Sequence, residues 1–98
     1  MTLDDLLYDI HLLEEEMRNF ERKYGVRTET FFEAYDNGEE PANDDWVQDW
    51  AAWASAYKIW RRLRTQYDET IQPLRAQTHS ISGLMEKTAR HEPIPVAS

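Results

Sequence analysis

The sequence predicts an all-α protein, an antiparallel helical hairpin of two long helices joined by a short bridging helix, with a C-terminal tail that is partly disordered. Three observations carry that expectation. Leu3, Ile10, Met17 and Tyr24 recur every seven residues, with Leu6, Leu13 and Phe20 between them, an a/d seam over three heptads. Trp46, Trp53, Trp60, Tyr67 and Leu74 form a second seven-residue series, interleaved with Trp50, Tyr57, Arg64 and Ile71. Finally, 98 residues contain only 3 Gly and 4 Pro, too few breakers for a loop-rich β architecture.

Each element has its own start and stop signals. The first helix is expected over residues 3–24, with Thr2 as N-cap and Asp4 and Asp5 in the first turn, where the helix dipole favours negative charge. Glu14, Arg18 and Arg22 are spaced to pair along an exposed face. Gly25 followed by Val26 is the pattern of a left-handed glycine cap with an apolar residue folding back on the last turn. A short second helix follows, with Thr28 as N-cap, Phe31, Phe32 and Tyr35 on its apolar side, and Asn37 and Gly38 at its end. The stretch GEEPAND reads as a loop in which Asn43 or Asp44 caps the next helix.

That third helix is expected from residue 44 to Gln72. Gln72 precedes Pro73 and is biased away from helix, so the element ends or kinks there. Residues 80–90 predict a further short helix capped by Ser80 or Ser82, with Ile81, Leu84 and Met85 on one side. HEPIPVAS reads as an extended tail. The expected organisation is a hairpin domain over residues 1–74 and an extension over 75–98, a short helix plus a flexible tail.

Charge is placed unevenly. Residues 1–50 hold 15 acidic against 4 basic side chains, and residues 51–98 hold 4 against 7, within a total of −8. An acidic front repels a phosphate backbone, so no direct nucleic-acid binding is expected, and a basic protein surface is the better partner. The opening MTLDDLLYDIHLLEEE carries acids where a signal peptide carries a basic region. No run approaches the ~20 apolar residues that span a bilayer. With no cysteine for disulfides, a soluble cytoplasmic protein is expected, with no membrane partner.

A search for chemistry returns little. His11 has Glu14 and Glu15 at i+3 and i+4, a spacing that can present ligands on one helix face, but with no other ligand in view a solvated histidine salt-bridged to a neighbouring acid is the better reading. Neither a glycine-rich phosphate loop nor a serine nucleophile motif is present. The expectation is a protein that is not an enzyme, with no catalytic residues, no metal and no cofactor.

The tryptophans then need an explanation. An aromatic stripe at helical spacing is usually core, and Trp46, Trp50, Trp53 and Tyr57 are expected to pack on the seam of the first helix. Lengths limit that reading. A first helix of about 33 Å cannot cover a third helix of about 43 Å, and roughly 10 Å remains unmatched. Trp60, Arg61, Arg64, Tyr67, Ile71 and Leu74 are the partner-binding residues this implies, apolar anchors flanked by arginines.

The run ERKYGVRTETFFEAYDNGEE, followed by DDWVQDWAAWASAY, carries a KYG helix end and then E-x-F-x-E-x-Y-x-x-G ahead of a tryptophan helix. Over residues 3–67 it resembles small acidic bacterial proteins encoded beside a small toxin and regarded as its antitoxin. The matching positions are Glu21, Lys23, Tyr24, Gly25, Glu29, Phe31, Glu33, Tyr35, Gly38, Asp49, Trp50, Trp53 and Tyr57. What the resemblance implies is an antitoxin-like inhibitor that neutralises a protein partner, a toxin nuclease for example. The alternatives are a self-associating, coiled-coil-like homodimer and an acidic inhibitor of some other nucleic-acid enzyme.

Overall fold

Thr2 opens the first helix with a reciprocal cap. Its backbone N–H donates to the Asp5 carboxylate at 3.0 Å while the Asp5 N–H donates to the Thr2 hydroxyl at 3.3 Å. The computed structural model describes residues 1–97, and they form an all-α chain with no strand among them. Its helices are α1 (Leu3–Tyr24), α2 (Thr28–Asp36), α3 (Val47–Thr78) and α4 (Ile81–Thr88), with a 3₁₀ turn at Asp44–Trp46 ahead of α3. No helix among the described residues is long and apolar enough to cross a membrane.

The helix ends follow the chain's local chemistry. Gly25 sits at φ +77° and its N–H donates to the Glu21 carbonyl, closing α1. At the end of α2, Gly38 donates to Tyr35 and Glu39 to Ala34, the paired bonds of a Schellman cap. The Asn43 side chain accepts from the Asp45 N–H, and the Ser80 hydroxyl accepts from Gly83. One cap departs from expectation. Thr28 is the first residue of α2 and its hydroxyl does not cap it; the Glu21 carboxylate on α1 accepts the Thr28 N–H at 2.7 Å instead.

Two compact units make up the chain, and both long helices run through both. The first unit, His11–Arg61, holds a core of Met17, Phe31, Phe32, Trp53, Ala54 and Ala56. Contacts descend along α1 as they ascend along α3, from Tyr24 with Asp49, through Phe20 with Trp53, to Glu14 with Trp60. Met1–Ile10 and the chain from Arg62 onward form the second unit, whose buried side chains include Leu3, Leu6, Ile10, Leu63, Thr70 and Leu84. This division cuts through α1 and α3.

Two expectations are corrected here. Pro73 does not end α3, which continues to Thr78. The N–H that proline lacks would have served the Glu69 carbonyl, and both residues are exposed, so water can hydrate that carbonyl in its place. Nor is the far half of α3 bare: Leu63 and Thr70 are buried, and Tyr67, Ile71 and Leu74 are half-buried. The length comparison left out the chain after Pro73, which belongs to the same unit as that half of α3.

The tail, finally, is extended but tied down. Leu3 N–H donates to the Ile94 carbonyl at 2.8 Å, Val96 N–H to Met1, and Ala97 N–H to the Thr70 hydroxyl at 2.9 Å, while Thr2 and Pro95 form an isolated antiparallel bridge. The His91 ring lies 3.0 Å from the Asp4 carboxylate. These bonds satisfy backbone groups in a stretch with too little apolar surface to fold by itself.

Candidate functional site

Trp53 is the centre from which the first unit is built. It is 1% exposed and stacks on Phe31 with centroids 4.0 Å apart and rings parallel, with Phe20 and Tyr24 stacked at 5.6 and 5.8 Å. A buried indole N–H needs an acceptor, and the buried Thr28 hydroxyl supplies it at 2.9 Å. Local sequence reading assigned Thr28 to a cap; no spacing rule links it to a tryptophan 25 residues later.

The aromatic expectation holds in part. Trp50 and Tyr57 pack half-buried against this cluster, but Trp46 lies in the 3₁₀ turn and is 37% exposed. That turn presents its ring to the edge of Tyr24 at 5.6 Å and to Trp50 at 6.4 Å rather than inserting it into the core.

Two clefts open on this unit. One, of about 250 Å³, is lined by Glu14, Met17, Arg18, Glu21, Arg27, Thr28, Glu29, Tyr57 and Trp60. Most of its charged groups have partners: the Trp60 indole donates to Glu14 at 3.2 Å, Arg18 pairs with Glu15 outside the cleft, and Arg27 sits 3.4 Å from Glu21. Burial pushes the Glu21 carboxyl up, but the Thr28 amide and hydroxyl and the Arg27 guanidinium outweigh it and hold the group below its ordinary value. Glu14 accepts from Trp60, and the ion pair of Arg18 is with Glu15. Among the described residues no three of His, Asp and Glu, the trio of His11, Glu14 and Glu15 included, are grouped so that they could hold a metal ion.

The other cleft, of about 280 Å³, is lined by Tyr24, Val26, Thr30, Phe31, Ala34, Glu39, Trp46, Trp50 and Trp53. Val26 is 42% exposed at its edge, and Val47 follows Trp46 on the surface. Asp49 braces the base of this wall, accepting from the Tyr24 hydroxyl at 2.5 Å and from the Lys23 ammonium at 2.6 Å. Lys23 first and then Tyr24 hold the Asp49 carboxyl below its ordinary value, whereas burial and then the same carboxylate push the Tyr24 hydroxyl up.

The six residues expected to bind a partner are not gathered in one unit. Trp60 and Arg61 belong to the first: Trp60 stacks on Tyr57 at 5.9 Å, and the exposed Arg61 guanidinium lies over the rings of both Tyr57 and Phe32 at 4.9 Å. Arg64, exposed, and Tyr67, Ile71 and Leu74, half-buried, belong to the second. Sequence reasoning missed the apolar cleft by Val26 and Trp46, although a tryptophan directly after an acidic loop was a visible signal. Compared with protein-family models, curated proteins and solved structures, the chain matches none.

Proposed function

We propose that this protein is a non-catalytic protein-binding module, an antitoxin-like inhibitor that covers a basic surface of its partner, a toxin nuclease being the concrete case. One observation carries the reading. Residues 28–57 contain eight acidic side chains and no lysine or arginine, they supply most of the aromatic core, and they leave Trp46 and Val47 exposed, with Val26 exposed just ahead of them. A dense negative face steers a basic partner toward it, and apolar groups at its centre supply affinity that charge alone does not. The order of contacts along α1 and α3 supports the antiparallel hairpin as the scaffold of that face. Arg61, exposed and held over the rings of Tyr57 and Phe32 in the same unit, is the contact residue proposed beyond it.

Self-association is the second reading, favoured by Ile81 and Met85, which are 62% and 57% exposed on α4. In that case a second copy is the partner. Measuring the mass of the purified chain in solution, and then its binding to the purified product of the neighbouring gene, separates the two. The proposal expects a monomer that forms a complex weakening as salt rises, since screening shortens from ~10 Å at 0.1 M to ~3 Å at 1 M. A stable homodimer that ignores the neighbouring protein overturns it, as does turnover by the isolated chain.

A further inference from the structure

The apolar cleft and the acidic stretch occupy the same part of the chain, and their combination restricts what can fill the cleft. Tyr24, Val26, Phe31, Ala34, Trp46 and Trp50 give it walls without charge. Glu39 lies on its rim, and the exposed Glu40, Asp44 and Asp45 follow in the loop that leads to Trp46. Of the cations beside lining residues, Lys23, next to Tyr24, is bonded to Asp49, and Arg27, next to Val26, lies against Glu21 and Glu29. The other cleft, by contrast, is lined by three glutamates and two arginines, several of them bonded to one another or to Trp60 and Thr28.

Resting on the protein-binding reading above, we propose that the cleft between Val26 and Trp46 is an anchor pocket for a bulky aliphatic side chain, presented on a lysine- or arginine-rich segment of the partner. Aromatic walls favour a flexible apolar side chain, and the acidic rim favours cations on either side of it. An uncharged apolar peptide gains nothing from the rim, and a purely basic one leaves the pocket unfilled. The recognition element is the combination.

The test uses the full chain and two tryptophan-free, lysine-rich peptides, one with a central leucine pair and the other with serines in those places. Their binding is followed by the protein's own tryptophan fluorescence and by calorimetry. The leucine peptide is expected to bind at least about tenfold more tightly. Val26→Asp and Thr30→Arg should each erase that preference, while Met85→Asp, on α4, should leave it. The two cleft changes alter charge in opposite senses, so a pure charge effect cannot weaken leucine binding in both. Thermal melts of each variant verify that the fold survives. Equal affinity for the two peptides, or a preference that persists in both cleft variants, overturns the pocket while leaving the acidic-surface reading standing. Failure of the leucine peptide to bind also overturns the pocket; the protein-binding reading falls only if the neighbouring gene's product fails to bind as well.

Discussion

Thr28→Val is the most informative single change, because it keeps the size and branching of the side chain and removes the oxygen that accepts from Trp53. The hydroxyl is buried and lies 2.9 Å from the indole nitrogen, itself on the least exposed ring of the protein. Without it the indole N–H has no acceptor in an aromatic cage, and a stranded buried donor costs ~1 to 3 kcal/mol. The same hydroxyl helps hold Glu21 ionised, so that support is lost as well. For a domain of this size each kcal/mol moves the midpoint by ~4 to 8 °C, so a thermal melt followed by circular dichroism should show a fall of at least ~4 °C. A second background isolates the bond. In Trp53→Phe the donor is already gone, and Thr28→Val should cost less there by ~0.5 to 3 kcal/mol, the usual coupling of residues in contact. A melt within ~2 °C of the parent, or an equal cost in both backgrounds, would refute the idea that this bond organises the core.

Three further outcomes are expected. Trp53→Ala removes the ring that Phe20, Tyr24 and Phe31 stack on and should cost ~3 to 5 kcal/mol, leaving the chain unfolded or nearly so; an unchanged melting midpoint contradicts the packing. Glu21 is held below its ordinary value, so the folded state binds fewer protons there than the unfolded one. Its contribution is complete above about pH 5 and is lost as the pH falls through the folded value, and urea midpoints should show an acid limb that Glu21→Gln flattens. Thr70→Val removes the acceptor of the Ala97 amide, and hydrogen exchange at Val96 and Ala97 should quicken while α3 keeps its protection; unchanged exchange would mean that other contacts hold the tail.

What the residue order determined by itself is everything settled within a few positions. The bounds of α1, the reciprocal cap of Thr2 and Asp5, the left-handed closures at Gly25 and Gly38, and the start of α4 at Ser80 all follow from neighbours within a few residues. Heptad spacing also identified Met17 and Trp53 as core, because a helix face is a periodic property of the chain.

Periodicity alone did not settle burial where it depended on what lay opposite. On α3 the buried positions pass from Trp53 and Ala56 to Leu63 and Thr70, which lie outside both seven-residue series, while Trp60, Arg64 and Tyr67 of those series are half-buried or exposed. Arg64 is exposed one residue away from the buried Leu63. The sector of a helix that is covered is set by its neighbours, and those change along α3: α2 and α1 in the first unit, and the C-terminal segment in the second. Likewise Glu21 capping a helix seven residues on, Thr28 meeting Trp53, and Ala97 reaching Thr70 are pairings between distant positions. Periodicity encodes a direction around one helix axis, and only the folded chain decides which atoms stand in that direction.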